Sequence, residues 1–394
     1  MRVVLISTDY PPLRTSAAIQ MQDIAFEFAL QGHEPYVFVP TNELETNLVK
    51  EVKDGVTIVR FSISMTKDSS YFRRTLLELS LPFKMIRYLR KSTYWNMQCD
   101  FVVWYSPPIF FSPLIYALKR KHKCQAYLIL RDIFPEWARD LGLITSGPVY
   151  LFFKMVANIQ YALADTIGVQ TSSNLVYLNK WGTNSKRKVE VLHNWQRILP
   201  NVGSSIIVNN TILEGRKLFL YIGNMGIAQG IDSMIELAEN LSHRADLGFL
   251  FVGRGSEVIR LKTYVKEHKL TNTLFLDEVD SKEMHGLLAQ CHIGLVALDT
   301  RHKTHNIPGK FLTYLFYGLP VLGKVNSGTD LIQLIVSEKV GKAYAGNSPL
   351  EFSRIAEEMI DSADELERMA ERGKILGKRL FSPSSKVKQI ISSI

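Results

Sequence analysis
Short apolar runs alternate with helical stretches along nearly the whole chain, and that alternation constrains the fold more than any other feature. "RVVLIST" at the start is long enough for one buried strand and too short for a buried helix. A helical stretch from about Ser16 to Gln31 follows and stops at Gly32. The runs "PYVFV", "VTIVRF", "DFVVWY", "QAYLIL", "TIGVQ" and "VEVL" come next, most of them separated by helical sequence. "QRILPNVGSSIIVNNT", residues 196–211, breaks this rhythm with turn-forming residues. The alternation then restarts with "KLFLYIG", "LGFLFVG", "TLFL", "IGLVAL" and "LPVLG". Strands buried on both faces and joined by helices build parallel sheets. Two successive sets therefore predict an α/β protein of two doubly wound, Rossmann-like domains facing across a cleft. The expected boundaries are a first domain over 1–195, a linker over 196–212 and a second domain over 213–378. A C-terminal helix is expected over 379–394, starting near Ser382, with its return to the first domain left open. The length of 394 residues, long for a single core, agrees.

Several classes of protein drop out. Cys99, Cys124 and Cys291 are odd in number and far apart, so no disulfide framework or thiolate metal site is expected, and a reducing cytoplasm fits best. The N-terminus reads as a strand rather than as a signal peptide. No run reaches the ~20 apolar residues of a membrane span. The longest, Phe101 to Leu118, is broken by Pro107, Pro108 and Pro113. There is no G-x-x-x-x-G-K-[ST], no H-E-x-x-H, no D-x-D pair and no G-x-S-x-G. ATPase, zinc-protease and serine-hydrolase chemistry are poor fits. No bound metal, no cofactor and no nucleic acid partner are expected.

Chemistry-bearing residues gather where a doubly wound sheet places ligands. "YIGNMGIAQGID" carries Gly223, Gly226 and Gly230 around a strand-to-helix turn, and "FVGRGSEV" carries Gly253 and Gly255 around Arg254. Glycine at a strand's carboxyl end lets a phosphate reach the backbone, although tight βα turns also use glycine for geometry alone. "HNIPGKFLTYLFYGLPVL", residues 305–322, reads as a polar loop and then a helix, with Pro308 in its first turn and Gly309 open to a ligand. Together the three pieces point to an anionic, nucleotide-type ligand. In the first half, "LRDIFPEWARDLGL" places Arg131, Asp132 and Glu136 just after a strand, where a general base or sugar-hydroxyl contact would sit. Capping by Asp132, with Glu136 in a first helical turn, is the structural alternative. In "STDYPPLRTSAA", Asp9 and Arg14 are candidates to face the cleft, while His193 in "LHNW" reads as a packing residue.

The net charge of +9 is concentrated. Between Arg60 and Cys124, 12 Lys and Arg stand against Asp68, Glu78 and Asp100. Inside that window "SLPFKMIRYLRK" reads as a helix with Ser80 as N-cap and Pro82 in the first turn. Phe83, Ile86 and Leu89 recur at helical spacing among Lys84, Arg87, Arg90 and Lys91. A basic amphipathic helix suits an anionic membrane surface. An ordinary domain helix with a solvated basic face is the other reading.

"DYPP", "LHNW", "YIGNMGIAQGID", "LFVGRG" and "PGKFLTYLFYGLPVL" occur in the order and spacing of one family. Over nearly its whole length the chain resembles the retaining glycosyltransferases of the GT-B fold that use sugar nucleotides. It is most similar to bacterial enzymes of O-antigen and capsule assembly, especially those assigned to N-acetyl-L-fucosamine transfer, whose D-[LF]-[WF]-P-E element "RDIFPE" resembles. The resemblance implies metal-independent transfer from a nucleoside-diphosphate sugar, UDP-linked, to a polyprenyl-diphosphate-linked saccharide. The enzyme would be cytoplasmic and peripheral on the inner face of the plasma membrane. Donor contacts are then expected at Gly223, Asn224, Gly226, Gln229, Arg254, His305, Asn306, Gly309, Lys310 and Thr313. Lys310 would stabilise the leaving diphosphate, Asp132 and Glu136 would orient donor or acceptor sugar, and Asp9, Arg14 and Arg131 would line the acceptor side. The family's two glutamates, eight positions apart, fall here on His305 and Thr313, and its lysine falls on Gln229. Ribose recognition must then come partly from elsewhere. Two further readings stay open: a GT-B sugar-nucleotide epimerase, and a catalytically weak partner subunit.

Overall fold
The computed structural model describes residues 1–42, 46–64, 71–140, 142–182, 187–226, 229–298 and 306–393. It divides into two compact units, one of Met1–Trp195 with Pro383–Ile394, the other of Gln196–Ser382.

The first unit holds an eight-stranded sheet. Its strands are β1 (Arg2–Ile6), β2 (Glu34–Thr41), β3 (Leu48–Lys53), β4 (Val56–Ser62), β5 (Phe101–Ser106), β6 (Gln125–Leu130), β7 (Thr166–Val169) and β8 (Lys188–Val191). Their order is β3-β4-β2-β1-β5-β6-β7-β8, and only β3 runs antiparallel, on β4. Its helices are α1 (Ser16–Leu30), α2 (Tyr71–Arg90), α3 (Ser112–His122), α4 (Glu136–Asp140), α5 (Pro148–Leu163) and the short α6 (Asn179–Gly182). β5 is buried at every position, as a strand covered on both faces must be. On one face, Trp104 and Leu128 pack with Leu81, Met85 and Leu89 of α2, Leu114 and Leu118 of α3 and Tyr161 of α5. On the other, Val103 and Ile129 pack with Met21, Ile24 and Phe28 of α1. Thr15 caps α1, its hydroxyl accepting from Ala18 N–H at 3.2 Å.

The second unit holds six parallel strands: β9 (Lys217–Ile222), β10 (Leu247–Val252), β11 (Thr273–Leu276), β12 (Ile293–Ala297), β13 (Val321–Lys324) and β14 (Gly341–Tyr344). Their order is β11-β10-β9-β12-β13-β14. The helices are α7 (Asp232–Asn240), α8 (Val258–Glu267), α9 (Met284–Leu288), α10 (Gly309–Tyr317), α11 (Asp330–Ser337), α12 (Pro349–Ile360) and α13 (Ala363–Leu376). Residues 196–212 pack on this unit: Ser205 N–H and Oγ–H donate to Glu283 at 2.7 and 2.6 Å, and Val208 N–H donates to Gln290 at 2.8 Å. A last helix, α14 (Pro383–Ile391), lies against α1 in the first unit and buries Val387 and Ile390 there.

Two local expectations are corrected. α2 begins well before Ser80 and carries Pro82 in its interior, and the Ser80 hydroxyl donates to Leu77 O at 2.9 Å instead of capping. A proline there costs about 3 kcal/mol locally. Leu81, Met85 and Leu89, all 0 % exposed, outweigh it by burial. Pro308 sits just outside α10, as its N-cap residue with φ −69° and ψ 143°, and the helix starts at Gly309.

Candidate functional site
In the second unit the strand order reverses beside β9, which lies between β10 and β12. Such a switch point opens a crevice at the strands' carboxyl ends. β9 and β12 pair at Phe219↔Ile293 and Leu220↔Gly294. Beyond that, the Tyr314 hydroxyl accepts from Ile222 N–H at 3.1 Å and donates to Leu220 O at 3.0 Å, with Leu295 O at 3.2 Å. The Tyr314 ring occupies the place a side chain at Gly294 would take, since a Cβ there would stand 2.4 Å from the ring. Tyr314 thereby fixes the start of α10 at the crevice.

Lys310, on the first turn of α10, is where the separate motifs meet. A Cβ on Gly223, whose φ is +105°, would lie 3.9 Å from Lys310 Cε. Lys310 Nζ stands 3.6 Å from the centroid of the Tyr221 ring and is buried with no hydrogen-bond partner. Burial pulls its pKa down to about 7. An ammonium with three unused donors, held over an aromatic face, is stabilised by any anion that reaches it.

The second glycine turn serves the first. A Cβ on Gly253 would lie 2.1 Å from Gly223 O, and one on Gly255 would lie 2.3 Å from Met225 O. Met225 N–H donates to Arg254 O at 2.8 Å. Of the two readings of these glycines, close backbone packing accounts for Gly253 and Gly255. Gly223 and Asn224 are exposed, Gly226 accepts from Gln229 N–H at 3.0 Å, and the Arg254 side chain, 74 % exposed, is 3.4 Å from Glu278. Asn306 is half-buried. His305 lies outside the described residues.

Thr313, one turn after Gly309, is 8 % exposed. Its hydroxyl donates to Gln196 Oε1 at 2.9 Å, with Gly309 O as a second acceptor at 3.3 Å. Gln196 is the residue the sequence reading missed. It belongs to no motif and stands in a stretch read as linker.

In the first unit the order reverses beside β1, between β2 and β5. Asp9 follows β1; its carboxylate accepts from the Thr15 hydroxyl at 2.7 Å. Arg14 is exposed. Asp132 follows β6 and is half-buried, and burial raises its pKa, partly offset by Arg131. Arg131 itself is turned inward at 5 % exposure. Its Nη1 donates to Leu192 O at 2.6 Å and its guanidinium stacks 4.7 Å from the Trp195 ring, while Nε and Nη2 have no hydrogen-bond partner. Glu136 is likewise 5 % exposed and pairs with Lys154 of α5, which ties α4 to α5. The sequence places all three beside a ligand, but the structure leaves only Asp132 accessible. His193 Nδ1 lies 3.0 Å from Gln170 O, the contact of a packing residue. On α2, Lys84, Arg87, Arg90 and, just beyond, Lys91 are exposed. Leu89, grouped by spacing with Phe83, belongs instead to the core, whereas Phe83 is 56 % exposed.

The two parallel-sheet units have the GT-B architecture. Residues 205–375, within the second unit, match the family model of glycosyl transferases group 1. The probable glycosyltransferase WbjE of Pseudomonas aeruginosa is 23% identical over 239 residues, a match covering 59% of this chain and 59% of that protein. The putative colanic acid biosynthesis glycosyl transferase WcaI of Escherichia coli K12 is 22% identical over 353 residues, covering 85% of this chain and 86% of that protein. Among solved structures, Anabaena HepE in complex with UDP-glucose superposes with a TM-score of 0.65 at 12% identity, covering 100% of both chains.

Proposed function
We propose that this protein transfers a sugar from a UDP-linked donor to a lipid-linked saccharide during assembly of a bacterial surface polysaccharide, with retention at the anomeric carbon. The observation that carries this reading is Lys310: a buried ammonium without a hydrogen-bond partner, beside the Gly223 turn and at the start of α10. Breaking the bond between the sugar and the diphosphate leaves charge on a phosphate oxygen. A donor already positioned in a dry site stabilises that charge far more than one in water. The first N–H groups of α10 add to it. The Thr313–Gln196 pair supplies hydroxyl and amide contacts for the ribose in place of a carboxylate.

Asp132, with Asp9 and Arg14, is assigned to the acceptor side, and its raised pKa suits a group that passes protons. Glu136 and Arg131 act from behind, by holding α5 and the segment after β8. The name of WbjE supports sugar transfer, that of WcaI supports a role in polysaccharide synthesis, and the UDP-glucose of HepE supports the donor class. Among the described residues no helix is long and apolar enough to cross a membrane. Access to a lipid-linked acceptor is assigned to the exposed basic side of α2, docked on an anionic inner leaflet.

The test is a screen of purified protein against sugar nucleotides with a polyprenyl-diphosphate-linked sugar, reading both transferred and free epimerised donor. Transfer supports the proposal. Epimerised donor without transfer would replace it with an epimerase, and nucleotide binding without turnover would favour a non-catalytic partner subunit.

A further inference from the structure
α5 carries an apolar ridge on its outer side. Leu151, Phe152, Met155 and Ile159 are 65 %, 38 %, 54 % and 47 % exposed. At 3.6 residues per turn they fall within about 100° of one another. Val149 and, in the loop before the helix, Leu143 are also exposed, at 58 % and 67 %. The opposite side anchors the helix: Ala157, Gln160 and Tyr161 are buried, and Phe153 packs 5.0 Å from the Phe134 ring. Helices of globular proteins normally turn charge toward water. From Leu143 to Ile159 there is no Asp or Glu, and the one charge, Lys154, is drawn to Glu136.

The neighbours give this ridge a setting. α2, α3 and α5 cover the same face of the first sheet. Together they carry nine Lys and Arg against Glu78 alone. Their solvent sides add exposed Leu76, Leu79 and Phe83 from α2 and Tyr116 from α3. An apolar ridge on a face whose other covering helices are basic complements an anionic bilayer interface, where apolar side chains enter the acyl boundary and cations meet the phosphates.

We infer that α5 is the lipid-inserting element of this face, and that α2 and α3 supply the electrostatic attraction. The inference deepens the membrane reading made for α2 and rests on it. Insertion makes part of the binding resistant to salt, because screening weakens only the charged part.

The experiment measures co-sedimentation with phosphatidylcholine vesicles containing phosphatidylglycerol, at low salt and at salt that shortens the Debye length to about 3 Å. The wild type should bind at both. A Leu151→Gln/Met155→Gln/Ile159→Gln variant should lose at least tenfold in binding at high salt. A Lys84→Gln/Arg87→Gln/Arg90→Gln/Lys91→Gln variant should lose mainly its low-salt binding. All replaced side chains are exposed, and a thermal melt checks the fold. Separately, Met155→Trp should shift its emission to the blue on vesicle addition. Unchanged binding by the α5 variant, with release by the α2 variant, overturns the inference and leaves the membrane reading standing. No vesicle binding by the wild type removes both. A dimer dispersed by the α5 variant would mean that a second copy covers the ridge, and would also overturn it.

Discussion
The sharpest consequence of the proposed donor site is a proton taken up on binding. Lys310 Nζ is buried beside Tyr221 and its pKa is pulled to about 7. At pH 8 only about one free molecule in ten carries the charge, by the ordinary titration relation. A diphosphate beside the amine favours the ammonium and raises its pKa. Binding UDP at pH 8 should therefore draw in about 0.9 proton per site, and at pH 6 close to none. Affinity should be flat below pH 7 and fall above it, by up to about tenfold per unit, until the pKa of the bound state is passed. Titration calorimetry in buffers of different ionisation enthalpy reads the uptake directly. Lys310→Ala should abolish it and weaken binding by about 1.5–3 kcal/mol. Lys310→Arg, always charged, should abolish it too. The sign for stability is the reverse. The folded pKa lies below the unfolded value of about 10.4, so the free protein gains stability as pH rises between the two. Lys310→Met should stabilise the ligand-free protein, most at pH 6 and least near pH 10. Tight UDP binding at pH 8 with no proton uptake, or full affinity in a folded Lys310→Ala protein, would refute the reasoning.

Other outcomes follow from the same crevice. Tyr314→Phe strands the buried Ile222 N–H and should cost about 1–3 kcal/mol in denaturant unfolding; an unchanged midpoint would detach Tyr314 from the strand gap. Gln196→Ala should weaken nucleotide binding by about 0.5–1.5 kcal/mol with little change in kcat, the pattern of a ground-state contact. Thr313→Glu should hold or improve donor affinity if a carboxylate fits beside Gln196. A large loss with the fold intact would mean that the pocket is built around the smaller side chain.

The parallel strands were legible because burial on both faces leaves continuous apolar runs such as "FVVWY". The antiparallel edge β3 was not: "LVKEVK" is exposed at five of its six positions and has no apolar pattern to read. The end of α2 was legible, but its beginning was masked by Pro82, whose local signal for a helix start was overridden by the burial of Leu81 and Met85. At the proposed donor site, strand-end glycines and the "PGK" turn pointed to Lys310. Spacing could not reveal that Gly253 and Gly255 pack against the first turn, because that contact joins backbones about 30 residues apart in different βα units. Gln196 was invisible for the same reason: its partner Thr313 is 117 residues away. Charged residues after β6 were found by type, but type does not say which way a side chain turns. Arg131 and Glu136 turned inward and Asp132 did not.

The path of the chain has a practical meaning for engineering. Residues 196–382 interrupt the first unit, which is completed only by 383–391. The two ends of that insert are bonded to each other, Gln196 N–H donating to Phe381 O at 3.0 Å. An insert whose ends lie side by side is what grafting one domain into another requires. The second unit is thus wired as a cartridge with adjacent terminals, and the donor preference proposed for it should be exchangeable by splicing at those two joints. A cut at residue 195 would instead strip α14 from α1 and bare the surface under Val387 and Ile390. During synthesis that surface waits, uncovered, until the entire cartridge has been translated.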